Sequence, residues 1–285
     1  MEQLLTAPAG VLCVPDGGAR CAALVLSGSS GRVETDRVRL LAGHGAAAMS
    51  LRWFGDAGQP PGVCEVSLET FGPALDRLAA LHDHLAIVAT SKGAEAALLL
   101  AVRDPRIRAV AALSPPSVVW ANVGPGFDGR TEPYRSSWTD RGTPLPFVPY
   151  DDQWTVTDRN GAPAYRGLYE QSLATFADQA DAATIPVEHI AGDLLVTGGG
   201  DDQVWPSDQF AHQIVQRRSQ HRLATRVVTH PAAGHRVRLP GEPVAPANGM
   251  TMARGGTRHA DEQLGFYVWC ELVDLLHLSA GYRIQ

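Results

Sequence analysis

The sequence predicts an α/β fold, a mostly parallel sheet with helices on both faces, and three observations carry that expectation. Short apolar runs alternate with segments of helical period. Those runs are apolar throughout rather than alternately apolar and polar, as strands are when both faces are covered. The chain has 285 residues, 45% hydrophobic and 19% charged, the balance of a globular protein with a substantial core.

The elements follow in order. "CAALVLSG" (21–28), "AAAMSLRWF" (46–54), "HLAIVATS" (84–91) and "IRAVAALS" (107–114) read as buried strands, with helical stretches at 33–43, 67–82 and 92–103 between them. The alternation resumes with "DLLVTGG" (193–199) and "ATRVVTH" (224–230), and further helices fit 207–221 and 258–279. Between them the pattern breaks. Residues 115–190 are rich in Pro, Gly and aromatic residues, among them Trp120, Tyr134, Trp138, Phe147, Tyr150 and Trp154. A loop of this length without a role is uncommon in a compact domain, and this one carries too much apolar surface for a solvated linker. It reads as a cap over the carboxyl edge of the sheet, where such folds place their sites. The expected organisation is one domain over 1–285, with the cap inserted in it.

Charge and composition exclude several classes. A net charge of −6 and a pI near 5.9 argue against a nucleic-acid binder. No uncharged apolar run is long enough to span a membrane. The N-terminus "MEQLLTAPAGVLCVPDGG" lacks the basic and apolar regions of a signal peptide, and Cys13, Cys21, Cys64 and Cys270 form no C-x-x-C pair. Free thiols and a cytoplasmic location are the expectation.

The chemistry is concentrated in "AIVATSKGAEAALLLA", which reads as strand, sharp turn and helix, with Ser91 at the apex. It also holds the chain's single lysine, Lys92, among 24 basic residues. A nucleophile elbow needs small residues two before and two after the serine. Gly93 fits the second position, and Ala89 stands where glycine is usual. "LLVTGGGDDQVWP" is a buried strand that ends in glycines and two aspartates, of which Asp202 fits a D-x-V-x-P acid loop and Asp201 is the alternative. "VVTHPAAGHRV" then brings His235 after a last strand, with His230 near enough to compete. The order Ser, Asp, His is that of the α/β-hydrolase fold. An oxyanion hole would use the backbone N–H of Lys92 and one from "SGSSG", that of Ser29 or Ser30.

These residues resemble one family, the acyl-CoA thioesterases and bile-acid-CoA:amino-acid N-acyltransferases, in their catalytic C-terminal domain. The matching stretches are "ETDRVRLLAGHGAAAMSLRWF", "VSLETFGPALDRL", "ATSKGAEAALLLA", "SPPSVVW", "GGGDDQVWPS", "PAAGH" and "GGTRHADEQLGFYVW". The resemblance implies an α/β-hydrolase with Ser91 as nucleophile, His235 as general base and Asp202 as orienting acid, forming an acyl-enzyme from a thioester. It also implies hydrolysis over transfer, since the N-acyltransferase branch uses cysteine at the elbow. The family usually carries an N-terminal β-sandwich; only 20 residues precede Cys21, so that domain is expected to be absent.

The expected substrate is a small-molecule acyl thioester, on CoA or on the phosphopantetheine of an acyl carrier protein. No metal and no separate cofactor is expected. Trp120, Trp138 and Trp154 are candidates for lining an acyl pocket. Arg217, Arg218, Arg222, Arg236 and Arg238 flank the site in sequence as candidate cationic contacts, most of them reading as solvated charge.

Overall fold

The computed structural model describes residues 1–243 and 251–279. The chain opens with an antiparallel hairpin of β1 (Glu2–Thr6) and β2 (Ala9–Cys13). The sequence carries little pattern for it, because four of the five β1 residues are exposed. Then come β3 (Cys21–Leu26), α1 (Thr35–Gly43), β4 (Ala46–Leu51), the short β5 (Val66–Ser67), α2 (Gly72–Ala79), β6 (Leu85–Thr90), α3 (Lys92–Arg103) and β7 (Ile107–Leu113). The predicted helix at 67–82 is shorter and divided: a 3₁₀ turn at Leu68–Phe71 leads into α2, whose second residue is Pro73. Proline lacks an N–H and suits a helix's first turn.

Residues 115–190 contain β8 (Trp138–Asp140), β9 (Thr143–Pro144), β10 (Thr157–Arg159), β11 (Ala162–Ala164), α4 (Arg166–Thr175) and α5 (Ala177–Ala183). The chain then returns as β12 (Asp193–Gly199), α6 (Ser207–Gln220), β13 (Arg226–His230) and α7 (Arg258–Leu275). The eight-stranded main sheet runs β1-β2-β4-β3-β6-β7-β12-β13. It is parallel from β4 to β13 and antiparallel only where β2 meets β1 and β4.

Alternate strand residues feed two separate cores, as a period of two requires. Leu24, Ile87, Val110 and Val196 face one side, with α2, α3, α6 and the aromatic residues of 115–190. Val25, Val88, Ala111 and Leu195 face the other, with α1 and α7. The inserted segment joins the first core: Trp138 stacks on Trp53 with ring centroids 5.3 Å apart, and Trp120 packs edge-on to Tyr169 at 4.6 Å. Small strand residues such as Ala86, Ala89 and Ala112 bring the helices close to the sheet.

Parallel strands place all their carboxyl ends on one edge. The turns after β6, β12 and β13 therefore converge, and they carry Ser91, Asp202 and His235.

Candidate active site

Ser91 ends the turn between β6 and α3 with φ +57° and ψ −125°, a conformation that L side chains rarely adopt. Its N–H donates to the Leu113 carbonyl at 2.9 Å, and its own carbonyl accepts from Ala94 and Glu95, which starts the helix. Gly93 is required by packing: a Cβ there would lie 2.2 Å from the Ser27 carbonyl oxygen. A Cβ on Gly28 would lie 2.8 Å from the Ser91 Cβ, so the turn after β3 runs directly against the serine. Ala89, where glycine is usual, is fully buried in β6 and keeps its regular pairing with Leu26 and Ala112.

His235 Nε2 is 3.0 Å from Ser91 Oγ, and His235 Nδ1 is 2.7 Å from Asp202 Oδ2. With Nδ1–H donating to the carboxylate, Nε2 is left to accept from the serine hydroxyl. The other Asp202 oxygen accepts from the N–H groups of Val204 and Trp205, at 2.8 and 3.2 Å. The His235 N–H donates to the Arg254 carbonyl, and its carbonyl accepts from Ser114 Oγ at 3.0 Å. The Trp205 ring stands edge-on to the imidazole at 5.4 Å. All three side chains are buried, so the chain of hydrogen bonds is shielded from bulk water.

The two sequence alternatives point elsewhere. Asp201 accepts from the Gly256 N–H and pairs with Arg159, and His230 bonds Gln263.

Lys92 follows Ser91 and opens α3, where a backbone N–H has no acceptor within the helix. Its side chain turns inward. Nζ lies 2.8 Å from Glu95 Oε2 and donates to Ser137 Oγ at 2.8 Å, which in turn donates to the Ala121 carbonyl. Glu95 Oε1 accepts from the Trp120 N–H and Trp138 Nε1. Burial pushes Lys92 below the usual lysine range and Glu95 above the usual carboxylate range, and each charge partly offsets the shift of the other. This network fastens the inserted segment to the turn that carries Ser91.

Ser29 and Ser30 are exposed on the turn beside Ser91, closed by a Gly31 N–H bond to the Gly28 carbonyl. The expectation that Trp120 and Trp138 line an acyl pocket is corrected: both are completely buried, held by the Glu95 contacts and by the aromatic core. They had more to gain from that core than from an open cleft. Trp154 is half-buried against Tyr165, whose N–H donates to the Gln203 carbonyl beside Asp202. Of the five flanking arginines, Arg217 pairs with Glu188, Arg218 holds the carbonyls of Val187 and Ile190, and Arg238 pairs with Glu262.

Trp205, Ser114 and the Arg254 carbonyl were not legible as site residues. Their role comes from contacts across the sheet edge, and only the closeness of Trp205 to Asp202 in sequence hinted at one of them. Among the described residues, no three His, Cys, Asp or Glu side chains converge to hold a metal ion. No described helix is long and apolar enough to cross a membrane.

The family profile described as BAAT / Acyl-CoA thioester hydrolase C terminal matches residues 68–280. The chain belongs to that family. Members of this acyl-CoA thioester hydrolase family that it resembles include the bile acid-CoA:amino acid N-acyltransferase of Mus musculus, 26% identical over 85% of this chain and 54% of that protein. Another is acyl-coenzyme A thioesterase 1 of Homo sapiens, 25% identical over 89% of this chain and 59% of the relative. The family chain thus spans little more than half the length of these relatives. Among solved structures, a dienelactone hydrolase-type protein from Klebsiella pneumoniae superposes with a TM-score of 0.58 at 14% identity, covering 97% of this chain and 98% of that one. A dienelactone hydrolase-like promiscuous phosphotriesterase from metagenomic libraries gives 0.54 at 14% identity, covering 97% of each chain. The fold of this family member is accordingly the α/β-hydrolase fold.

Proposed function

We propose that the protein is a serine hydrolase of acyl thioesters. The observation that carries this reading is the hydrogen-bonded series Ser91–His235–Asp202, with Ser91 at a strained elbow, in a chain of the acyl-CoA thioester hydrolase family. Ser91 Oγ attacks the thioester carbon while His235 Nε2 takes its proton, and Asp202 stabilises the imidazolium. The oxyanion is received by the N–H groups of Lys92 and of Ser29 or Ser30. The close approach of Gly28 to Ser91 favours Ser29, the next residue. The thiolate departs with the proton from His235, leaving the acyl group on Ser91. Water, deprotonated by His235, then attacks the ester and frees the carboxylic acid.

Thiolate is a good leaving group, so stabilising the oxyanion is the larger task. The substrate is a small-molecule thioester, on CoA or on a carrier protein's phosphopantetheine, and residues 115–190 act as its cap. A cytoplasmic setting suits such a substrate. A second reading, transfer to an amine or alcohol, is favoured by the relatives named as amino acid N-acyltransferases. Serine rather than cysteine at position 91 supports hydrolysis.

A panel of acyl-CoAs assayed for free thiol, with Ser91→Ala alongside, tests the reading. Release from the wild type and its loss in the variant are expected. Absence of Ser91-dependent release across the panel would remove the thioesterase assignment, and acyl products formed with added glycine or ethanol would move it to transferase.

A further inference from the structure

Arg37 lies in the first turn of α1 and is buried. Both features are unfavourable for a cation, which loses its hydration and meets the positive end of the helix dipole. The Glu242 carboxylate offsets them as a fork, accepting from Nε and, at 2.9 Å, from Nη2. Two further hydrogen bonds leave that pair. Nη1 donates to Thr90 Oγ1 at 3.0 Å, and Nη2 donates to the Val237 carbonyl at 3.2 Å. Thr90 is the residue before Ser91, and Val237 stands two residues after His235. One planar group therefore joins the elbow to the histidine loop.

The stretch of that loop it holds is a folded unit. The Glu242 carboxylate also accepts from the Leu239 N–H at 3.0 Å, and the Glu242 N–H donates to the Leu239 carbonyl at 3.1 Å. Arg238 Nε and Nη2 each reach the Glu242 carbonyl at 3.2 Å. Helix α7 closes against it as well: a Cβ on Gly265 would lie 1.6 Å from the Arg238 carbonyl oxygen. Arg37 grips the unit at both ends, by the Val237 carbonyl and the Glu242 carboxylate. Its own helix begins at Thr35, four residues beyond Gly31, where the turn carrying Ser29 and Ser30 closes.

The ion pair alone would fix only α1 to the loop. The two additional bonds set how the loop lies against the end of β6, and hence how His235 Nε2 approaches Ser91 Oγ.

We propose that Arg37 is a positioning residue: through Thr90 and Val237 it holds His235 in register with Ser91, and Glu242 orients its guanidinium. The effect on thioester turnover rests on the hydrolase reading; the alignment of His235 with Ser91 does not. Ser114 Oγ and the Arg254 carbonyl also hold the His235 backbone, so the expected loss is graded. It should be about ten- to a hundredfold in kcat, the scale of a small misplacement of reacting groups.

Thr90→Val removes the acceptor beside Ser91 and leaves the ion pair whole. It is expected to lower kcat for an acyl-CoA about tenfold with KM nearly unchanged, a loss confined to the transition state. Thr90→Ser, which keeps the hydroxyl, is expected to restore the rate. Arg37→Met/Glu242→Leu replaces the buried pair by apolar residues, which preserves stability better than either single change. It should melt near the wild type and still lose ten- to a hundredfold in kcat. Arg37→Lys keeps the charge without the planar fork and should fall between. A purely structural role predicts the reverse, with melting temperatures that move and a kcat that does not. Wild-type kcat in Thr90→Val or in the folded double variant overturns the proposal. So does a loss confined to KM, or a Thr90→Ser rate no better than that of Thr90→Val. If the double variant does not fold, the two Thr90 variants decide alone.

The rate at which a fluorophosphonate labels Ser91 reads the same alignment without a thioester. Should the wild type label but release no thiol from any acyl-CoA, the hydrolase reading falls. Slowed labelling of Thr90→Val and of the double variant would then still carry the positioning role, and unchanged labelling would overturn it. No labelling of the wild type would overturn both, since no activated serine would be there to align.

Discussion

Asp202 and Asp201 are neighbours in sequence with different surroundings, and the difference is chemical. The Asp202 carboxylate is fully buried and takes hydrogen bonds from His235 and from two backbone N–H groups, an arrangement that fixes the imidazole's tautomer. Asp201 spends its carboxylate on Arg159 and the Gly256 N–H, joining β10 to the segment before α7. Asp202→Asn should therefore slow thiol release by about 10³–10⁴-fold with the fold retained, since an amide can orient the ring wrongly but occupies the same space. Asp201→Asn should act mainly on stability and slow release far less. Steady-state rates beside thermal melts check both, and comparable rate losses would point to a shared role for the two aspartates.

A buried ion pair on the elbow helix carries hydrogen bonds to the inserted segment. Lys92 and Glu95 lie one turn apart on α3 and reach Ser137, Trp138 and the Trp120 backbone. Removing one partner leaves a buried charge uncompensated, at a cost of about 3–5 kcal/mol, whereas replacing both by apolar residues is milder. Lys92→Met and Glu95→Leu should each destabilise strongly. The double variant should be less destabilised than the two costs added together, in denaturant titrations analysed as a double-mutant cycle. Additive effects would show that the pair is not coupled. Because Lys92 is adjacent to Ser91, the single variants should also lower labelling of Ser91 by a fluorophosphonate.

For the whole molecule, acid stability is set in part by Glu188, which packs under α6 and takes hydrogen bonds from Arg217 Nε and Nη2. Arg217 pulls its carboxyl down to about 2 from an ordinary value near 4.5. A depressed carboxylate contributes its full stability above the unfolded value and loses it as pH falls toward the folded one. The window is therefore about pH 4.5 to 2. With Arg217 half-exposed to solvent, the contribution is about 1–2 kcal/mol after screening. Stability of Glu188→Gln should fall less steeply than that of the wild type across this window, measured by urea unfolding at several pH values. Parallel curves would assign the acid sensitivity to other groups. Glu95 works in the opposite sense, because burial raises its pKa and the folded chain holds that proton more tightly than the unfolded one.

The sequence by itself determined the strand–helix alternation, the elbow around Ser91 and the chain order of serine, acid and histidine. These are local patterns, written in consecutive residues at strand ends, and parallel strands then bring the ends together on one edge. Tertiary structure decided what depends on contacts between distant segments. Only packing separates Asp202 from Asp201, because two adjacent carboxylates have the same composition and differ in where the turn aims them. Only packing shows that Trp120 and Trp138 belong to a core while Trp154 remains half-buried near the acid loop. The edge strand β1 was illegible because an exposed edge strand needs no apolar pattern. Chain direction can be read from neighbours, but the electrostatic field at a point in space depends on every segment folded around it.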